Sequence, residues 1–131
     1  MASPRWAVSR VRFARPTDRL AEVLRFYEEG LGLARIDSFE HHAGYSGVML
    51  GLPGEEYHLE FTEHEDGSPC PAPTRDNLLV LSLNDRDAIA AIDARLRALG
   101  YEPVEPENPY WADDLAYEDP DGWGVVLRYV S

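Results

Sequence analysis

The side chains of this sequence that could do chemistry together lie on two short alternating stretches. One covers residues 57–64, where every second residue is polar, and the other covers residues 8–14, which carry Arg10 and Arg12. Imidazole and carboxylate groups can ligate a divalent cation, whereas arginines bind carboxylate or phosphate groups through paired hydrogen bonds. Because alternate side chains of a strand share a face, the polar set of the first stretch should point to one side: His58, Glu60, Thr62 and His64.

The two arginines need partners if their strand packs inside the protein, because burial of an uncompensated charge costs several kcal/mol. Glu60 is the obvious partner. A pair between Glu60 and Arg10 would leave Arg12 to bind a carboxylate or phosphate of a ligand. Alternatively, one of these arginines extends to the rim of the sheet and serves only solubility.

A metal site on the polar stretch would begin with His58 and Glu60, which are two residues apart and share a face. Their side chains run nearly parallel, so a third ligand must come from elsewhere: His41, His42 or His64. The alternative interpretation is that His58 and Glu60 form hydrogen bonds with neighbouring groups while the other histidines lie in solvated loops. We adopt this alternative.

Four aromatic residues stand in turn-rich or strand-end positions and bear on the type of ligand. They could line the mouth of a site and stack on a planar or apolar molecule, or they could fill the core or a dimer interface. Trp111 is the strongest pocket candidate, because an indole followed closely by Asp113 and Asp114 in a proline-rich loop must pack on something. The four are Tyr45, Tyr110, Trp111 and Trp123.

The elements that must position these residues occur twice along the chain. Each half begins with a strand-like stretch, continues with an apolar-faced helix and a glycine stop, and ends in further strands. Residues 67–74 contain prolines 69, 71 and 73 and predict a stiff connector. We therefore predict one domain over residues 1–131 with two modules, 8–66 and 75–131. The predicted strands are 8–14, 33–39, 45–50, 57–64, 78–83, 101–104, 115–118 and 123–130, with helices over 20–31 and 85–99 and a turn at Pro53-Gly54.

The composition restricts the partners of this domain. Its 131 residues include 24 acidic and 12 basic side chains, and the net charge of −12 disfavours nucleic acid and anionic membranes. All basic residues are arginines, seven of them among the first 35 residues, which therefore carry +3 against −15 for the remainder. No apolar run has the length of a membrane helix or signal peptide, so we expect a soluble cytoplasmic protein. The single Cys70 excludes an internal disulfide.

Four motifs follow one another in an informative order: residues 15–20, residues 26–33 (Phe-Tyr-Glu-Glu-Gly-Leu-Gly-Leu), the strand 58–62, and the turn 118–123 (Glu-Asp-Pro-Asp-Gly-Trp). Together they resemble the vicinal oxygen chelate superfamily of glyoxalase I, bleomycin-resistance proteins and extradiol dioxygenases. Residues 44–48, 69–73 and 106–111 resemble a bacterial glyoxalase-like subgroup. The resemblance implies an α+β fold of tandem βαβββ modules, whose curved mixed sheets form a cup for a small-molecule ligand, and a homodimer.

Metal-dependent members of that superfamily bind one divalent ion through four inward side chains, usually His or Gln, Glu, His and Glu. The resemblance assigns these positions to Arg10, Glu60, Asn77 and Val126. Only Glu60 is a strong ligand, because arginine is cationic, valine has no donor atom and a neutral amide binds weakly. The resemblance therefore implies that the usual catalytic metal site has been lost.

We predict that the cup binds a small molecule without that metal, as in bleomycin-resistance members. The alternative is a glyoxalase-type lyase, isomerase or dioxygenase that holds Zn, Ni, Fe or Mn in a non-standard way, with Glu60 and His58 as ligands. A third possibility is a cup filled by the protein's own side chains. The predicted ligand-binding residues are Arg10, Arg12, Tyr45, His58, Glu60, Asn77, Trp111 and Trp123.

Overall fold

The strands of the computed structural model form two separate sheets, one from each half of the chain. The structure describes residues 8–52 and 57–131, so the predicted turn at Pro53-Gly54 lies outside the described residues. The first sheet contains β1 (Val11–Pro16), β2 (Ala34–His42), β3 (Tyr45–Gly51) and β4 (Tyr57–His64), and the second contains β5 (Leu78–Leu83), β6 (Leu115–Glu118) and β7 (Gly124–Tyr129).

The second sheet repeats the strand order of the first but has no counterpart of β2, and the repetition confirms the predicted α+β fold of repeated modules. The order of the first sheet is β1-β4-β3-β2 and that of the second is β5-β7-β6. In each sheet the first strand runs parallel to the last, β1 to β4 and β5 to β7. The predicted strand over residues 101–104 is wrong: only Val104 forms an isolated bridge, to Ala116. Pro103 and Pro106 lack amide donors, so this segment cannot continue a ladder.

The helix of the first half changes its winding along its length. An α-helix, α1 (Leu20–Leu24), continues as a π-helix over Arg25–Gly30, and the amide of Leu31 donates to the carbonyl of Phe26, five residues earlier. The wider turn places both Phe26 and Tyr27 in the core, where they are 0% and 3% exposed. Within the described residues, no helix combines the length and apolar character that a membrane crossing requires.

The helix of the second half, α2 (Arg86–Ala98), is capped by Asp85, whose carboxylate accepts hydrogen bonds from the amides of Asp87 and Ala88. It packs directly against the π-helix of the first half. At the contact, a side chain on Gly30 would collide with Leu96, and the Arg95 guanidinium donates to the carbonyl of Gly30 at 3.0 Å. The two halves therefore share one core between their helices.

Candidate functional site

The face of the first sheet that points away from the helix carries the polar set predicted from the sequence. Leu59 and Phe61 of β4 are buried on the helix face, so His58, Glu60 and Thr62 point to the other side. The strand register places Arg12 of β1 beside His58 and Met49 of β3 beside Glu60 on that side. We call this side the open face; it comprises Arg12, Ile36, Asp37, Phe39, Met49, His58, Glu60 and Thr62, and Asp37 is the register partner of Met49.

An ion pair joins the two charged residues of the open face. The Arg12 Nη1 donates to Glu60 Oε1 at 3.3 Å. The predicted partner, Arg10, is therefore wrong: Arg10 precedes β1 and is exposed, whereas Arg12 lies within the strand, next to β4. The Glu60 side chain is 14% exposed and the Arg12 side chain 41% exposed. The guanidinium is thus the more accessible charge of the pair.

Two glycines of β3 allow apolar side chains of β2 to lie flat on the open face. A Cβ atom at Gly47 would lie 2.6 Å from the ring of Phe39, and one at Gly51 would lie 2.6 Å from the Cδ1 atom of Ile36. Both glycines therefore accommodate a neighbouring side chain at a distance that no other residue permits. Together with Met49 between them, Ile36 and Phe39 form an apolar shelf beside the Arg12–Glu60 pair.

The corresponding face of the second sheet lies under the chain itself. Its centre is apolar, with polar residues toward its ends. The covered face comprises Leu78, Val80, Ser82, Ala116, Glu118, Gly124, Val126 and Arg128, as the strand register shows. Residues 105–114 run across it, and within them the Tyr110 hydroxyl accepts a hydrogen bond from Arg128 at 3.0 Å while the Trp111 ring lies 5.1 Å from the guanidinium. Val126 is 0% exposed beneath this segment.

A cleft of about 350 Å³ separates the beginnings of the two sheets. Phe13, Leu59 and Phe61 line it from the first sheet, and Leu78 and Trp123 line it from the second. Phe13 lies on the same side of the first sheet as Leu59, yet it is 68% exposed because β1 is an edge strand. The cleft is thus a mainly apolar opening beside β1, and Glu60 of the open face also contributes to its lining.

A buried polar network crosses from the first half to the second, close to the cleft. Arg15 forms ion pairs with Asp119 and with Asp121, the latter at 2.8 Å, and its guanidinium lies 5.0 Å from the ring centre of Phe61. The Tyr27 hydroxyl donates to Asp119 at 2.8 Å. Burial raises the pKa of the Asp119 carboxyl, although Arg15 and Tyr27 oppose that rise, and burial beside Asp119 raises the pKa of Tyr27 well above its ordinary range.

Comparison with known proteins identifies the family. The model of the YycE-like N-terminal domain matches residues 11–62, and that of the YycE-like C-terminal domain matches residues 76–129. The chain belongs to the YycE-like family. The uncharacterized protein YycE of Bacillus subtilis is 52% identical over 120 residues, which cover 91% of this chain and 86% of that protein. A crystal structure of a YycE protein of unknown function from Bacillus subtilis has a TM-score of 0.90 at 48% identity and covers 98% of this chain and 96% of that chain.

More distant structures share the fold. TnmS3, an antibiotic binding protein from Streptomyces sp. CB03234, has a TM-score of 0.68 at 23% identity and covers 97% of this chain and 100% of that chain. Its likeness at this identity shows the fold alone. The structural neighbours are glyoxalase, bleomycin-resistance and fosfomycin-resistance proteins, so the predicted membership of the vicinal oxygen chelate superfamily is confirmed.

The four positions where metal-dependent members of that superfamily hold their ion do not fit a metal here. Because β1 and β5 occupy equivalent places, the counterpart of Arg12 is Leu78, and the counterpart of Glu60 is Val126. The Asn77 side chain closes a turn before β5 by accepting hydrogen bonds from the amide and hydroxyl of Thr74, so its amide oxygen is already engaged. Among Arg10, Glu60, Asn77 and Val126 only Glu60 carries a strong ligand group, and Arg12 already pairs with it.

The other predicted site residues lie at separate places. Tyr45 and His64 pack edge to face at the far end of the open face, with ring centres 4.6 Å apart. Trp111 belongs to the covered face, and Trp123 lines the cleft and donates to the carbonyl of Cys70 at 2.8 Å. Among residues 8–52 and 57–131, no group of three or more histidine, cysteine or acidic side chains is arranged to hold a metal ion.

Sequence reasoning missed the network of Arg15, Tyr27, Asp119 and Asp121. The Asp-Pro-Asp-Gly motif was interpreted only as a turn, which it also is, since the Gly122 amide donates to the carbonyl of Asp119 at 2.9 Å. The signal that could have revealed its second role was the charge distribution. The excess of arginine in the first 35 residues requires acidic partners, and Arg15 finds them more than 100 residues later.

Proposed function

We propose that this protein binds a small molecule on the open face without the catalytic metal usual in its superfamily. The observation that carries the proposal is the ion pair between Arg12 and Glu60. The pair engages Glu60, the one carboxylate among the four positions that the resemblance assigns to metal ligands, with the cation of Arg12. The resulting function is binding or sequestration, as in the bleomycin-resistance branch of the superfamily.

Metal content and ligand binding test this proposal together. We expect purified protein to contain no stoichiometric Zn, Ni, Fe or Mn by elemental analysis. In a thermal-shift screen, some small molecules should raise the melting temperature of the wild type, because a ligand that binds only the folded state stabilises it. Arg12→Gln should reduce that response, whereas the matched change Arg35→Gln, which affects an ion pair with Glu28 on the helix face, should not.

The same experiments define the outcome that would contradict the proposal. A stoichiometric metal that Glu60→Ala removes would favour the alternative, a glyoxalase-type metalloenzyme with a non-standard site. If a broad screen finds no compound that raises the melting temperature, the protein does not bind a ligand on this face and the proposal is wrong.

We also propose that the protein forms a homodimer through the edge strand β1. Phe13 and Tyr57 lie on the same side of the first sheet and are 68% and 48% exposed. Large apolar side chains grouped at an open edge, next to an apolar cleft, are typical of a protein interface. β5 is the edge strand on the opposite side of the cleft. A second copy could therefore bring its β5 to β1 and complete the cup.

Sedimentation velocity tests the dimer. Phe13→Glu should shift the wild-type dimer to a monomer, because the new charge would be buried in the interface. Val130→Glu, at an exposed apolar position near the carboxyl end, is the matched control and should leave the dimer intact. A wild-type protein that sediments as a monomer at all accessible concentrations contradicts the dimer.

A further inference from the structure

We infer that the ligand of the open face is a small molecule with one carboxylate and an apolar body. The inference rests on the proposed small-molecule binding and adds the chemical class of the ligand. The open face is divided into two zones that match such a molecule. Its charged zone lies on β1 and β4, with Arg12 and Glu60, and its apolar zone consists of Ile36, Phe39 and Met49 of β2 and β3. The exposed Asp37 of β2 borders the apolar zone as the register partner of Met49.

Arg12 provides the contact for the carboxylate. A guanidinium has five N–H donors, and the contact with Glu60 uses one of its nitrogens, Nη1. Since 41% of the Arg12 side chain is exposed, the remaining edge of the fork can approach a ligand from solvent. A carboxylate matches the fork with two parallel hydrogen bonds. Glu60 holds the guanidinium in position and thereby reduces the entropy lost on binding.

The apolar shelf provides the contact for the body of the ligand. Met49 is the direct neighbour of Glu60 across the strands, and Ile36 and Phe39 lie over the glycines on either side of Met49. Neighbouring strands are about 4.8 Å apart, so the shelf extends roughly 5–10 Å from the charged pair. An aryl or alkyl group joined to a carboxylate by a few methylene groups spans that distance.

Within the Arg12–Glu60 pair, which lies on the strands β1 and β4 and not beside Asp37 of β2, the relative exposure of the two charges favours an acid over an amine. Glu60 is 14% exposed and already accepts a hydrogen bond, so an incoming ammonium would meet Arg12 before it met the carboxylate. The net charge of −12 disfavours anions at long range. At physiological ionic strength this repulsion is largely screened beyond about 8 Å, so the direct contact with Arg12 decides the preference.

Isothermal titration calorimetry with four probes tests the inference: phenylbutyrate, phenylbutyramide, phenylbutylamine and acetate. We expect phenylbutyrate to bind at least about tenfold more tightly than the amide and the amine, because one charge-assisted contact contributes about that factor. Acetate, which lacks the apolar body, should give no measurable heat. Arg12→Gln should abolish the preference for the acid, and Arg12→Lys should retain part of it.

Variants of the shelf and of the helix face complete the experiment. Phe39→Ser should weaken all three phenyl probes to a similar degree, whereas Arg35→Gln should change none of them. Equal binding of acid and amide, or tighter binding of the amine, overturns the inference while small-molecule binding stands. If the probes fail but the thermal-shift screen finds other ligands, the inference fails alone; if neither finds a ligand, the proposed function fails as well.

Discussion

The two sheets of this protein share the order of three strands but differ on the faces that point away from the helices. The open face of the first sheet carries Arg12, His58 and Glu60 in solvent-accessible positions. The covered face of the second has Leu78 and Val126 at the equivalent places, and residues 105–114 lie across it. The helix faces do not differ in this way, because both contribute leucine and valine to one shared core.

This difference shows which part of the repeat is constrained by folding. A module needs an apolar helix face, since burial of that face is the main favourable contribution to its stability. The opposite face has no such requirement once the sheet exists. One copy could therefore keep it polar and accessible, while the other filled it with its own segment. A binding site on this protein is accordingly expected to draw its polar groups from the first sheet.

The buried network that joins the halves provides the largest expected effect. Arg15→Ala leaves the carboxylates of Asp119 and Asp121 buried without their cation, and removal of one partner from a buried ion pair costs about 3–5 kcal/mol. Urea unfolding should show this loss. Arg35→Ala, which breaks the accessible pair with Glu28, should cost about 1 kcal/mol or less. Equal effects of the two substitutions would mean that the network does not hold the halves together.

A reciprocal exchange at equivalent positions tests the contrast between the two faces directly. Val126→Glu places a carboxylate at a position that is 0% exposed, and we expect a loss of roughly 3 kcal/mol or more in the free energy of unfolding. Glu60→Val removes an ion pair whose arginine remains accessible to water, so its cost should be about 1 kcal/mol or less. If Val126→Glu were tolerated as well as Glu60→Val, the second face would be accessible to water and our comparison would be wrong.

The packing of residues 105–114 on the covered face should depend on the indole of Trp111. Trp111→Ala removes the ring stacked near Arg128, and we expect a loss of about 1–2 kcal/mol, less than for a fully buried tryptophan because Trp111 is half-buried. The uncovered apolar face should also bind more of a hydrophobic fluorescent dye. Phe39→Ala on the open face is the control, with a smaller loss of stability and unchanged dye binding. Unchanged dye binding by Trp111→Ala would show that the segment does not depend on this contact.

The sequence predicted the strands and their faces better than the contacts between strands. Alternation of polar and apolar residues placed His58 and Glu60 on one side of β4, and the structure agrees. It could not decide between Arg10 and Arg12, because both have the same parity and their distance from Glu60 depends on the register between β1 and β4. The same limit applies to β5, since a slip of one position reverses the face of a strand and the start of β5 at Leu78 is known only from the structure.

Local sequence patterns could not predict the contacts between the two halves. Asp119 and Asp121 belong to a turn motif that is complete in itself, and their partner Arg15 stands 104 and 106 residues earlier. No periodicity links such distant positions. The contact that covers the second sheet was equally hard to predict. The sequence around Trp111 predicts a loop that packs on another part of the protein, but it does not identify β7 as that part.

The smallest expected effect is a loss of folding stability at alkaline pH, to which one tyrosine of each half contributes. Burial raises the pKa of Tyr27 and of Tyr117 above the ordinary value of 10.0, and their hydroxyls bond to Asp119 and Asp93 respectively. Each tyrosine therefore ionises first in the unfolded chain, and its contribution to stability, complete below pH 10, declines as the pH rises toward the folded-state pKa. The decline should approach about 1.4 kcal/mol per pH unit for each tyrosine. Tyr27→Phe and Tyr117→Phe should each reduce the slope of unfolding free energy against pH.

Of these two tyrosines only Tyr27 bonds to a residue of the other half, so only Tyr27→Phe should also lower the stability cost of Arg15→Ala. Additive effects of Tyr27→Phe and Arg15→Ala on the unfolding free energy would show that Tyr27 is not part of the network.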